Sequence, residues 1–359
     1  MKIAFVLPMP TMKIVGGYKK VYEYANYLSN RGNKVTIFFN SDRGTNSKKL
    51  PKFLVFFLRN LIVVREPSWF KLDKNVKKKN LYRLKEKYFD DFDVVIATAA
   101  KTSKFVNKLN NSKKLYLIQG YEKGWDLSER ELIDTYRYDM KKVVVSKWLK
   151  KIVDRYTKKK TIYVPNGINT TIFYDRDLVR KKHSISLLYS SSKLKGWNTA
   201  WKVIKKLKVE YPDLEVNLFG TERRIKEWPQ WINYTRRATP EQVANIMNRS
   251  TIFMCSSISE GFGLTGLEGL LCGCILVTTD CGGIREYASM ENSLISGVND
   301  VEGLYSNIVK VFSDDSLKKK LIHQSKKLAS LYDRDNSNHF FEQIINDLVN
   351  NSCLSNSTY

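Results

Sequence analysis

The sequence predicts an α/β protein built from two doubly wound domains, split near residue 165. Short apolar runs alternate with amphipathic helical stretches along the chain, the signature of parallel strands covered on both faces. The alternation halts at "YVPNGIN" (163–169), where Pro165 and the Asn166–Gly167 pair mark a turn, and then restarts. At 359 residues the chain is also too long for one ordinary core.

In the first half, "KIAFVL" (2–7) reads as a buried strand. "GGYKKVYEYANYLSNRG" follows, with Val21, Tyr24, Ala25 and Leu28 on one helical stripe and Gly32 as its stop. "KVTIFF" (34–39), "DVVIAT" (93–98), "KLYLIQ" (114–119) and "KVVVS" (142–146) read as further strands. In the second half, strands are expected at 186–191, 215–220, 250–257 and 274–279, with a helix over "PEQVANIMNRS" (240–250). The domains expected are 1–165, 166–335 and a C-terminal segment, 336–359, whose helix returns to the first domain. "CLSNSTY" at the end reads as frayed. Doubly wound sheets bind ligands at the carboxyl ends of their strands, so two of them facing each other predict a cleft between.

Hydrophobic residues make up 43% of the chain, enough for packed cores, and the formal net charge is +25. Such a charge suits nucleic acid, an anionic membrane or anionic small substrates. The "KKK" runs at 77–79, 158–160 and 318–320 are dispersed and read as solvated faces. With no zinc-finger spacing and no arginine-rich tail, nucleic acid is not expected as a partner. Cys255, Cys272, Cys274 and Cys281 fall in one apolar region without metal-ligand spacing, and read as buried reduced thiols of a cytoplasmic protein. The first residues continue into a strand pattern rather than a signal peptide. No stretch reaches the ~18–20 apolar residues of a spanning helix.

Three segments carry chemistry. "SISEGFGLTGLEGLLCGCIL" (257–276) places Glu260 and Glu268 in apolar, glycine-rich surroundings, where carboxylates are costly without partners. A helix starting after "GFG" offers the N–H groups of Gly263, Leu264 and Thr265, and its dipole, to a diphosphate. Glu260 then reaches sugar hydroxyls and Glu268 a ribose diol. The competing reading is a capping carboxylate and a surface helix position. "VGGYKK" (15–20) opens another helix on Gly16 and Gly17, either approaching a phosphate closely or simply turning tightly. "SSSKLKGWNTA" (190–200) sets Lys193 and Lys195 where cations neutralise a leaving diphosphate, or merely face solvent.

Together with "VVVSKWLKK" and "YVPNGINTTIF", and in the same order along nearly the whole chain, these segments resemble the retaining, nucleotide-sugar-dependent glycosyltransferases of family 4, with the GT-B fold. The most specific piece looks like that family's E-x7-E segment followed by a "GG-x-x-E" turn, here Gly282–Glu286. The resemblance implies a hexosyl-type transferase (EC 2.4) of surface polysaccharide or glycoconjugate synthesis. It implies Glu260 on the donor sugar, Glu268 on the ribose, Lys195 on the diphosphate and the Gly16–Gly17 turn beside it. It also implies chemistry without metal or cofactor, the nucleotide-sugar (UDP or GDP) being a co-substrate. The acceptor is then a saccharide or lipid-linked saccharide.

Two departures stand out. The family's arginine about five positions before the lysine is replaced by Ser190, leaving Lys193 as the substitute. No histidine precedes His183, where relatives carry one near the acceptor. "LIQGYEKGWD" (117–126) holds a comparable strand-end position, which makes Gln119, Tyr121 and Glu122 the acceptor-side candidates. With no base in place, same-face attack with the leaving phosphate taking the acceptor proton fits the retaining outcome. The Asp-x-Asp within "DDFD" (90–93) reads as strand-start capping, not a metal site. The apolar "PKFLVFFLRNLIVVREPSWF" (51–70), with basic residues around it, reads either as an element on an anionic membrane at the inner face of the cell membrane, or as a buried helix or lid. A nucleotide-sugar epimerase of the same fold and a non-catalytic partner subunit are the alternative functions.

Overall fold

A computed structural model describes residues 1–41, 52–123 and 127–350. The expectation of a frayed C-terminal tail therefore lies outside the described residues, as do Cys353 and part of the 117–126 segment.

The chain forms two compact units, Met1–Pro165 with Asn336–Tyr359, and Asn166–Asp335. In unit 1, strands β1 (Lys2–Leu7), β2 (Lys34–Asn40), β3 (Lys77–Leu81), β4 (Val94–Ala97), β5 (Lys113–Ile118), β6 (Lys141–Val144) and β7 (Ile162–Tyr163) alternate with helices. These are α1 (Gly16–Asn30), α2 (Lys52–Arg65), α3 (Ala100–Val106), α4 (Glu129–Arg137) and α5 (Lys147–Val153). The sheet order is β3-β2-β1-β4-β5-β6-β7, parallel throughout. The order reverses between β1 and β4, so the carboxyl ends of these two strands open a switch-point crevice.

Unit 2 repeats the plan with β8 (Lys181–Tyr189), β9 (Glu215–Gly220), β10 (Ile232–Arg236), β11 (Ser250–Cys255), β12 (Ile275–Thr279) and β13 (Ser293–Ser296). Its helices are α6 (Trp197–Glu210), α7 (Pro240–Arg249), α8 (Leu264–Leu271), α9 (Val301–Ser313), α10 (Asp315–Ser325) and α11 (Leu328–Leu331). The order β10-β9-β8-β11-β12-β13 is again all parallel, and its switch point lies between β8 and β11.

The periodicity of α1 is cashed in burial: Val21, Tyr24, Ala25 and Leu28 are all at most 1% exposed. Helix α12 (Arg334–Asn350) packs on this unit, with Phe341 stacked on Tyr24 at 4.1 Å between ring centroids and near Phe5 at 6.5 Å. Helix α7 starts as its sequence dictates. Thr239 accepts from the N–H of Gln242, Gln242 returns a bond to Thr239, and Pro240 occupies the first turn, where no N–H is needed.

Strands β3, β7, β10 and β13 were not expected. The "KKK" run at 77–79 is strand rather than a plain solvated face: it pairs with β2, setting Lys77 beside Thr36 and Lys79 beside Phe38. Side chains alternate along a strand, so Lys78 points to the other face. There its Nζ donates to the carbonyl of Glu66 at 2.5 Å, just past the end of α2. Strand β8 also begins five residues earlier than expected, where Lys181 pairs with Glu215 and His183 with Asp213.

Helix α2 is the apolar segment, and the wholly buried alternative for it does not hold. Val63 faces inward and Arg59 donates to the carbonyl of Ser41, but Phe53, Phe57 and Val64 stay 75%, 57% and 77% exposed. Leu58 and Leu61 flank them on the same open side. Among the described residues no helix is long and apolar enough to cross a membrane.

Candidate functional site

The two loops at the unit 2 switch point interlock. After β8, a short 3-10 turn (Lys193–Lys195) ends at Gly196, which adopts φ +64°. A Cβ there would lie 1.9 Å from the carbonyl oxygen of Ser256 in the loop after β11, so the position accepts only glycine. Ser256 Oγ donates to the carbonyl of Lys195, and the N–H of Ile258 to that of Leu194. This seam fixes Lys195 against Glu260, Nζ to Oε1 at 2.6 Å. Ser257 Oγ donates to the same carboxylate oxygen at 2.7 Å. From below, the N–H of Glu260 donates to Cys281 and the N–H of Gly283 to Glu260, tying the loop to the Gly282–Glu286 turn.

Burial pulls the Lys195 pKa down, but the charge and hydrogen bond of Glu260 outweigh it and the net shift is upward. Lys195 is therefore a held cation. Glu260 and Lys195, expected to serve separate parts of a ligand, are brought directly together.

Helix α8 begins at Gly263, whose φ of +85° is costly for any residue with a Cβ. The Tyr287 hydroxyl donates to the Gly263 carbonyl, and no side chain caps the helix. Gly263 thus shapes the turn, while Leu264 and Thr265 contribute first-turn N–H groups of the kind that bind anions. Glu268, on the next turn, is 5% exposed, which rules out the surface-position reading. Lys193 is exposed and makes no ion pair among the described residues. At Ser190, where the resemblance leads one to expect an arginine, the hydroxyl and the N–H of Ser191 instead hold Glu222.

The unit 1 switch point gathers Gly17, Gln119 and Glu122. Helix α1 starts at Gly16 after an extended Val15, with no side-chain cap. A Cβ on Gly17 would lie 3.3 Å from Gln119 Nε2, so the amide packs on the glycine. Gln119 Oε1 is buried and has no hydrogen-bond partner among the described residues. The Glu122 carboxylate accepts from the N–H of Ala100 at the head of α3, at 3.1 Å. Burial pushes its pKa up to about 7, against the lowering effect of that bond and of Lys101. Tyr121 turns aside and donates to Glu129 at 2.7 Å.

Cys255, Cys272, Cys274 and Cys281 are buried free thiols, as expected, but sequence reasoning missed that Cys255 and Cys281 pair with each other near Glu260. A hydrogen bond from Cys281 lowers the Cys255 pKa against the opposing effect of burial. Sequence reasoning also missed Ser257, which bonds to Glu260 three residues on, and Glu222, whose role depends on a contact with the distant Ser190–Ser191 loop. Of the aspartates in "DDFD", Asp93 accepts from the N–H of Lys2 and so caps the start of β1. Among the described residues no three His, Cys, Asp or Glu side chains gather as metal ligands.

Residues 176–328 match the profile of a family described as Glycosyl transferases group 1, so unit 2 carries a domain of that kind. An uncharacterized glycosyltransferase from Methanocaldococcus jannaschii is 24% identical over 200 residues, 53% of this chain and 54% of that one. The chain spans about half or less of the length of the curated relatives it matches. Sucrose-phosphate synthase from Thermosynechococcus elongatus superposes with a TM-score of 0.76 at 13% identity, over 98% of this chain and 100% of that one. An Anabaena protein solved with UDP and glucose superposes with a TM-score of 0.71 at 12% identity, over 96% and 99%. The fold is that of the GT-B glycosyltransferases: two parallel-sheet α/β domains.

Proposed function

We propose that this chain is a retaining glycosyltransferase. It takes a sugar from a nucleoside-diphosphate sugar, UDP or GDP by class, and passes it to a saccharide or lipid-linked saccharide. The observation that carries the reading is the Lys195–Glu260 pair at the head of α8, on the unit 2 switch point. A held ammonium and orphan helix N–H groups together suit a leaving diphosphate, whose charge grows as the glycosidic bond breaks. Glu268 takes the ribose hydroxyls. Glu260, already bonded to Lys195, orients the sugar rather than attacking it. The acceptor hydroxyl approaches on the leaving group's face, and the departing phosphate oxygen takes its proton. In unit 1, Gln119 Oε1 is the acceptor-side group in need of a donor. Lys195 and the α8 head supply the positive potential, so the reading assigns no metal to the step. The uridine diphosphate held by the Anabaena neighbour supports a UDP donor.

The reading places the protein on the inner face of an anionic membrane, through α2. Its open side is apolar, a form that inserts at the headgroup boundary.

The first test is a thermal-shift screen against UDP, GDP, ADP, dTDP and their sugar conjugates, with EDTA present. A selective rise is expected with one nucleotide. No rise with any at millimolar concentration overturns the donor assignment. Proton NMR of the product then checks retention. For the membrane, the variant Phe53→Ser/Val64→Ser should lose sedimentation with anionic vesicles; undiminished sedimentation removes α2 from the account.

A further inference from the structure

The lysines of unit 1 do more than raise the net charge. Register sets Lys2 beside Lys34, and Lys77 and Lys79 beside Thr36 and Phe38, all on one face of the sheet. Lys78 and α2 lie on the opposite face. A parallel sheet is ordinarily covered on both faces. Here the face over β2 and β3 is left as a groove of about 660 Å³, within the size range of ligand sites. Phe38, 1% exposed, and Thr36 form its floor. Lys2, Lys34, Lys77, Lys79 and Lys87 stand around it, against the single carboxylate of Asp91. Among the described residues none of these five ammonium groups forms an ion pair. Five like charges gathered against one lining carboxylate raise the energy of the empty groove and favour an anion within it.

We propose that this groove binds a linear polyanionic saccharide. Neighbouring strands lie ~5 Å apart and alternate residues on one strand ~7 Å apart, so the lysine positions suit several acidic groups along one chain rather than a single phosphate. Tyr88, 40% exposed, has the Lys87 ammonium over its ring at 5.7 Å, which sets an aromatic surface and a cation side by side for a charged sugar. Phe92 is turned edge-on to Phe38 at 5.5 Å and contributes to the wall. Single-stranded nucleic acid is favoured by successive aromatic platforms and arginine, and this groove has one open ring and no arginine. The groove starts at the amino ends of β1 and β2 and follows the β3 edge of the sheet to Leu81, whereas the switch-point crevice opens at the carboxyl ends of β1 and β4. Its ligand is thus held apart from any reacting group in unit 1. The choice of a saccharide rests on the glycosyl-transfer reading; the anion site itself does not.

The test is fluorescence anisotropy with a labelled heparin-derived hexasaccharide, with neutral maltohexaose and a short oligothymidylate as comparators. The expected result is binding of the sulfated probe alone. The variant Lys77→Ala/Lys79→Ala should weaken it about tenfold or more. Lys158→Ala/Lys160→Ala removes the same charge from another exposed run and should change affinity less than about twofold. Equal losses in the two variants, tighter binding of the oligothymidylate, or no binding of the hexasaccharide at about 50 mM salt each overturn the proposal. Nucleotide thermal shifts in the Lys77→Ala/Lys79→Ala protein report on the unit 2 site separately. A shift that persists while hexasaccharide binding is lost or absent leaves the glycosyl-transfer reading standing.

Discussion

Glu260 and Glu122 both follow the carboxyl end of a parallel strand in their unit, Glu260 after β11 beside the glycine-started head of α8 and Glu122 after β5 against the head of α3. They are treated in opposite ways. Glu260 accepts from an ammonium and a hydroxyl and is bolted by its backbone to a neighbouring turn. Glu122 accepts from one backbone N–H, and burial brings its pKa to about 7. One carboxylate is neutralised by a fixed partner, the other by exchanging a proton near neutral pH. The unit 2 site is built to hold charge still, while the unit 1 site changes its charge with the medium.

The sharpest way to break this contrast is Lys195→Ala. Removing a cation poised for the transition state should lower kcat by roughly 100- to 1000-fold, read by steady-state kinetics with the donor that the thermal screen selects. A change confined to KM would reduce the pair to scaffolding. Next in size is Gly263→Ala. Its positive φ, and a Cβ only 2.9 Å from Tyr287 Oη, should cost roughly 1–3 kcal/mol in chemical denaturation.

Glu122→Gln tests the other side. In the folded chain Glu122 keeps its proton up to about pH 7, and in the unfolded chain only up to its ordinary 4.5. Between these values the folded state binds the extra proton, so the stability this group contributes is full below 4.5 and falls as pH rises to 7. Allowing for its residual exposure, roughly 1–2 kcal/mol of pH dependence is expected in that window, and the neutral glutamine should remove it. Urea melts across the window decide the matter; identical slopes would show that Glu122 titrates normally. The smallest effect should come from Gly17→Ala. Its neighbour at 3.3 Å is the end of a flexible glutamine, so stability should move by less than about 1 kcal/mol. A loss as large as that of Gly263→Ala would show that the α1 head is as tightly locked as the α8 head.

The elements legible in the sequence are those with an apolar rhythm. Strands β1 and β2 and helix α1 fell within a residue or two of expectation because their buried faces are written in Val, Ile, Phe and Leu. Strand β3 was not legible. An edge strand reading Lys-Lys-Lys has period two in its contacts but not in its letters. The glutamates and Lys195 were visible as types in a glycine-rich setting. That they bond to each other was not, because the seam between Gly196 and Ser256 joins residues 60 positions apart. The perturbation of Glu122 likewise comes from burial, which its local sequence does not encode.

The return of the chain to unit 1 through α12 has a consequence for synthesis. Tyr24 and Phe5 meet Phe341 only after the whole of Asn166–Asp335 has left the ribosome. At ~5–20 residues per second, those roughly 170 residues hold unit 1 unfinished for on the order of 10–30 s. Unit 2, whose sequence is continuous, has no such wait, so the later-made half of the protein is the first to have all its parts.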